Sequence, residues 1–246
     1  MDRMIYLAMT GAKNLLDRLA VTSNNLANAS TGGFRAETQG FRAVAVQSET
    51  LPTRTFAIEA TMGADFSPGP LKETGRALDV AIDGKGWIAV QMPDGSEAYT
   101  RDGSLQIDEN GVLQTHNGFN VSGGGGPISI PANTQVSIAG DGTVTSVPTS
   151  NLLTQASAIG RIKLVNPDEA DLERGADGLF RLRGGGEAEV DARVKLSSKY
   201  LEGSNVNPSE ALVEMIAIAR QFDAQMKLVQ SADSNAQQAT KLYSMS

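Results

Sequence analysis

Apolar residues recur at alternating spacings of three and four at both ends of this chain, and the pattern is lost between them. At the N-terminal end the stripe runs through Ile5, Ala8, Ala12, Leu15, Leu19 and Leu26, with Thr22 as its one polar member. Met9 and Leu16 widen one side. This spacing predicts an amphipathic helix over about residues 3–28 with a coiled-coil-like seam. The segment Asn28-Ala-Ser-Thr-Gly-Gly33 ends it, because glycine and short polar side chains favour caps and turns. At the other end, Asn207-Pro208-Ser209-Glu210 reads as a helix start. Asn207 is the N-cap, Pro208 the first helical residue, and Glu210 can reach back towards the cap. Leu212, Met215, Ala219, Phe222, Met226, Val229 and Ala236 then repeat the alternation, which Asp233 and Thr240 weaken. No Gly or Pro interrupts Ser209 to Ser246.

In the middle, Gly and Pro punctuate short runs with period-two alternation, which predicts strands. The candidates are Leu78–Ile82, Trp87–Met92, Glu97–Arg101, Ser104–Asp108, Val112–Thr115, Val136–Ala139, Thr143–Val147, Ile159–Val165, Leu179–Leu182 and Glu189–Ser197. Pro93-Asp94-Gly95, Glu109-Asn110-Gly111 and Gly140-Asp141-Gly142 supply turns between several of them. Residues 34–70 fit neither period and read as an extended connector. The expected fold is therefore α+β, a central all-β domain inserted between long terminal coiled-coil-like helices. Its parts are an N-terminal helix over 1–33, the connector over 34–70, a β domain over 71–200 and a C-terminal helix over 201–246.

The inventory of reactive groups is poor. There is no cysteine, which excludes disulfides, thiolate metal sites and cysteine nucleophiles. His116 is the only histidine and sits in a Gln-Thr-His-Asn-Gly turn, so a Ser-His-Asp arrangement would depend on one loop residue. Asp102 and Asp108 are candidates for acid–base or cation chemistry, but solvent-facing charge is the simpler reading. The glycine run 123–126 leads to Pro127 and lacks the lysine of a phosphate cradle, so it reads as a flexible loop. No catalytic residue, metal or cofactor is expected. The formal charge of −7 argues against a nucleic-acid partner. The Met4–Met9 run is too short for a cleavable signal, and nothing approaches the roughly 20 apolar residues of a membrane span.

The two stripes must be buried somewhere, since long helices are marginal alone in water. They can pair with each other, lie on the β domain, or pair with neighbouring copies. Periodicity alone favours the readings within one monomer.

The stretch Ser23-Asn-Asn-Leu-Ala-Asn-Ala-Ser-Thr-Gly-Gly-Phe34 resembles the N-terminal signature of the flagellar basal-body rod and hook proteins, with Arg35 where Lys is usual. Leu78-Asp-Val-Ala-Ile-Asp-Gly-Lys-Gly86, followed by Trp87 where Phe is commoner, resembles that family's first β-domain motif. Tyr99-Thr-Arg-Asp-Gly103 with Asn110-Gly-Val-Leu113, and Leu201-Glu-Gly-Ser-Asn-Val-Asn-Pro208, resemble two more in the same order. Met1–Ala12 and Ala217–Met226 are similar to proximal-rod members, with distal-rod members as the alternative.

The resemblance implies a structural subunit rather than an enzyme, its terminal helices forming the inner part of a tube. It adds Asn24, Asn25 and Asn28 to the candidate assembly residues. The implied partners are copies of itself, other rod proteins and the flagellar type III export apparatus. The implied location is the periplasm-spanning rod of the basal body, reached without a cleavable signal, with termini disordered before assembly. A β-domain binding or adhesin-like module is the competing reading.

Overall fold

A computed structural model describes residues 2–45, 55–149 and 155–244. The chain divides into two compact units.

The first unit contains both ends of the chain, residues 1–29, 36–65 and 206–246. Helix α1 spans Asp2–Ala27 and α2 spans Pro208–Ser244. The start of α2 follows its capping chemistry. The Asn207 side-chain oxygen accepts the amides of Ser209 at 3.1 Å and Glu210 at 3.5 Å, groups that would otherwise lack helical partners. The end of α1 is held by Asn28, whose side-chain amide donates to the Asn24 carbonyl at 3.0 Å. Between the helices in sequence, β1 (Glu37–Ala45) and β2 (Thr55–Ala64) form an antiparallel ladder with a register shift at Gly40/Phe41. The span expected to be a connector is thus largely a β ladder. The β2 half does alternate, with Phe56, Ile58, Ala60 and Met62 two apart, but Ala57, Thr61 and Gly63 between them blur the contrast between the two faces.

The second unit comprises Ser30–Arg35 and Phe66–Asn205. Its strands are short: β3 (Leu71–Glu73), β4 (Val80–Asp83), β5 (Trp87–Gln91), β6 (Glu97–Thr100), β7 (Leu105–Ile107), β8 (Leu113–Thr115) and β9 (Asn120–Gly123). They continue with β10 (Gly126–Pro127), β11 (Thr134–Ile138), β12 (Thr143–Pro148), β13 (Ser157–Arg161), β14 (Leu164–Val165), β15 (Leu172–Arg174), β16 (Phe180–Leu182), β17 (Lys195–Ser198) and β18 (Tyr200–Glu202). The largest sheet runs β15-β16-β6-β5-β9-β8-β7, with β14 on β5 and β10 on β9. A second runs β11-β12-β13, and β17 pairs β4 while β18 pairs β3. Every ladder between these strands is antiparallel. The core is aliphatic, built on Val80, Ile88, Leu105, Leu113, Val121, Val144 and Ile162, all nearly inaccessible to water. This agrees with a chain in which aromatics make up only 5%.

Three expectations for this region change. Ile159–Val165 is not one strand: the chain leaves the smaller sheet after Arg161, and Leu164 and Val165 pair with β5. Of Glu189–Ser197 only the end is strand. Asp191 forms a turn instead, its carboxylate accepting the Arg193 amide at 2.9 Å and its carbonyl the Val194 amide at 3.2 Å. The glycine run 123–126 is a tight reversal in which Gly123 pairs with Gly126.

Candidate assembly surface

The helices of the first unit pack antiparallel. Gly11 lies against Gln225 and Arg18 bonds Glu214, so position along α1 rises as position along α2 falls. The Arg18–Glu214 pair is exposed, and such a pair contributes about 0–1 kcal/mol. Thr22, the polar residue on the N-terminal stripe, is buried and satisfied: its hydroxyl donates to the Arg18 carbonyl at 3.0 Å. Asn25 behaves as a short piece of strand. Its side chain donates to the Glu37 carbonyl at 2.9 Å and accepts the Glu37 amide at 2.8 Å, tying α1 to the start of β1.

The stripe residues fall into two groups. On α1, Ala12 is buried and Ala8, Leu15, Leu19 and Leu26 are partly buried, as are Met215, Phe222 and Val229 on α2. Leu212, Ala219 and Met226 are exposed, as is Asn24, whereas Ala211 and Ile218 are buried. The buried line on α2 is therefore set one residue back from the spacing read in the sequence near its start. The side chains of Ile5 and Ala236 lie outside the described residues. What remains uncovered is apolar: Val213 is 67% exposed, Ile216 55% and Leu228 58% on α2, and Met9 57% and Leu16 49% on α1.

In the second unit the quoted signatures converge on one buried cluster. The side chains of Arg35 and Glu202 are inaccessible to within 1%, and Arg101 is nearly so. Glu202 Oε1 lies 2.7 Å from Arg35 Nη2 and accepts the Gly69 amide at 3.0 Å, while Oε2 accepts Arg101 Nη1 at 3.0 Å. The Arg35 contact is out of line for a hydrogen bond, so it is electrostatic. Arg35 Nη1 donates to the Ser67 carbonyl and Arg101 Nη2 to the Gly84 carbonyl. Arg101 also stands over the Trp87 ring, and Trp87 contacts Phe66 and Phe180. Burial pushes the Arg101 guanidinium below its ordinary pKa, and Glu202 opposes that shift. The backbone closes the same crossing: the Gly33 amide bonds the Glu202 carbonyl at 2.8 Å and the Asn205 amide bonds the Phe34 carbonyl at 3.3 Å. Gly33 has φ +65°, and a Cβ there would stand 2.3 Å from the Arg101 carbonyl carbon, so glycine is required. The sequence reading named none of these three charged residues as a site. Their places inside the signatures were the available signal, but nothing in a sequence marks a charge as buried.

The groups considered for chemistry do not assemble into one site, although His116 lies near enough to Asp102 to oppose the rise in its pKa. His116 is exposed in its turn. Asp108 caps a turn by accepting the Val112 and Asn110 amides, and those bonds hold its carboxyl below the usual range. Asp102 accepts the Ser104 amide, and burial raises its pKa. Among the described residues no group of three or more His, Cys, Asp or Glu is placed to hold a metal ion, and no helix is long and apolar enough to cross a membrane.

Residues 5–35 match the family described as flagella basal body rod protein, 81–146 the flagellar hook protein FlgE/F/G D1 domain, and 197–242 the flagellar basal body rod FlgEFG protein C-terminal family. The chain is 46% identical over 252 residues to the flagellar basal-body rod protein FlgF of Escherichia coli (strain K12), covering all of both chains. It is 45% identical to FlgF of Salmonella typhimurium (strain LT2), again end to end. The flagellar basal-body rod protein FlgG of Bacillus subtilis (strain 168) is 31% identical over 98% of this chain and 99% of its own length. The chain belongs to the flagellar basal-body rod protein family, a class of structural, non-enzymatic subunits. Within that family these two FlgF proteins match it better than the FlgG relatives do.

Proposed function

We propose that this chain is built into the proximal part of the flagellar rod through its terminal helices, which complete their apolar faces on neighbouring subunits. The observation that carries this reading is the uncovered apolar surface of the helix pair: Val213, Ile216 and Leu228 on α2, Met9 and Leu16 on α1. A lone helical pair gains nothing from these exposures, whereas burial of each such side chain contributes about 1.5–3 kcal/mol. The neighbours are copies of this chain and other rod proteins, joined through seams of coiled-coil type. Ala8, Ala12, Leu15, Leu19 and Leu26 with Met215, Phe222 and Val229 form the inner seam, whose spacing Ile5 continues in the sequence. Leu212, Ala219 and Met226 belong with the outward face, while Asn24, Asn25 and Asn28 hold the end of α1 in shape. The greater identity to FlgF than to FlgG supports the proximal position. Delivery by the flagellar type III apparatus, without a cleavable signal, suits a cysteine-free chain that crosses a narrow channel unfolded.

The test separates the two faces. Val213→Asp combined with Ile216→Asp leaves the circular dichroism of the monomer unchanged and abolishes incorporation into isolated basal bodies. Leu19→Asp or Phe222→Asp also blocks incorporation, with Trp87 fluorescence showing an intact β unit. Normal incorporation of the Val213/Ile216 double variant would refute an outward helical interface.

A further inference from the structure

We infer that the Arg35–Glu202–Arg101 cluster is a closure latch, which makes folding of the β unit conditional on docking of its last strand. Two guanidinium groups, contributed by the first segment of the unit and by the residue that follows β6, face one closed site with almost no access to water. Glu202 is the only carboxylate paired with either of them among the described residues, and it arrives on β18, the last strand of the unit. Until it docks, closing the site brings two like charges together without compensation, which disfavours the closed form. Once docked, each carboxylate oxygen serves one arginine, and Oε1 also takes the Gly69 amide. The charges are thus worth little as net stability and much as a condition. A half-made unit stays open, and the finished unit closes as a whole. The same docking sets the backbone bonds Gly33–Glu202, Gly203–Pro70 and Asn205–Phe34.

The test uses the full chain and hydrogen exchange read amide by amide. In Glu202→Gln, which keeps the shape and removes the charge, protection is lost throughout the unit, including the β11–β12 ladder, whose sheet carries no member of the cluster, and the Trp87 fluorescence transition disappears or moves to far lower denaturant. In Arg35→Met/Arg101→Met/Glu202→Leu, where no charge is left to compensate, protection and transition recover most of what Glu202→Gln loses, short of the parent by the lost bonds to the Ser67 and Gly84 carbonyls and the Gly69 amide. If Glu202→Gln frees only the amides of Gly33, Gly69 and Gly203 while the sheet keeps its protection, the cluster is a local staple and the latch is refuted. If the triple variant is as unfolded as Glu202→Gln, charge balance is not the controlling condition, and the latch is again refuted.

Discussion

Asp102 shows how a single residue can be placed against its own interest. Its side chain accepts the Ser104 amide, its backbone amide donates to the Thr100 hydroxyl, and it lies beside Gly32 near the crossing. Burial raises its pKa above the ordinary carboxyl value, and the nearby Asp79 adds to the effect. A carboxyl whose folded pKa exceeds its unfolded one binds its proton more tightly when folded. Its contribution therefore favours folding at low pH and is lost as pH rises through the carboxylate range. Asp102→Asn keeps an acceptor for Ser104 and removes the charge. It raises the stability of the β unit at pH 7, and the gain shrinks as pH falls below the folded pKa. Denaturation followed by Trp87 fluorescence at pH 7 and pH 4 measures both effects, and a loss at pH 7 would contradict the burial argument.

Elements differ in how plainly their sequences announce them. The two helices were legible because a period of three and four over many turns, with Asn207 and Pro208 at one start, has no other solution. The hairpins around Asp94-Gly95, Asn110-Gly111 and Asp141-Gly142 were legible because those glycines adopt positive φ. The strands β3, β15 and β18 were not, since Leu71-Lys-Glu73, Leu172-Glu-Arg174 and Tyr200-Leu-Glu202 each end on a charge and have no apolar pair two residues apart. The ladder of β1 and β2 was missed because the alternation of Phe56, Ile58, Ala60 and Met62 is diluted by Ala57, Thr61 and Gly63, although Asn25 held the clue. An asparagine at the end of a helix, bonding both backbone groups of Glu37, supplies to β1 what a neighbouring strand would. Asn25→Ala removes both bonds, at a cost of about 1–3 kcal/mol, and accelerates exchange of the Glu37 amide while leaving the sheet amides of the β unit alone. Unchanged exchange at Glu37 would show that the ladder holds without the helix. The assembly residues were only half legible. Spacing identified an apolar face, but the displacement of the buried line to Ala211 and Ile218 depends on what α1 offers, which no local pattern records.

At the scale of the whole molecule the two units differ in how much they bury. Among the described residues, α2 buries only Ala211 and Ile218, whereas the β unit encloses a continuous aliphatic core from Val80 to Leu196. Helices with so little covered are stabilised mainly by what they meet later. In dilute solution the helical circular dichroism of the full chain is therefore lost at a lower temperature than the Trp87 fluorescence signal. Concentration sufficient for association raises the first midpoint and not the second. Coincident, concentration-independent transitions would mean that the helix pair is complete in the monomer.

The bond between the Asn205 amide and the Phe34 carbonyl makes neighbours of two residues at opposite ends of the β unit. Everything the chain does between them returns to its point of departure. The strands between Phe66 and Asn205 are in this respect a cargo on a closed loop: they can be enlarged, trimmed or exchanged during evolution or by design, and Asn205 still comes back to Phe34.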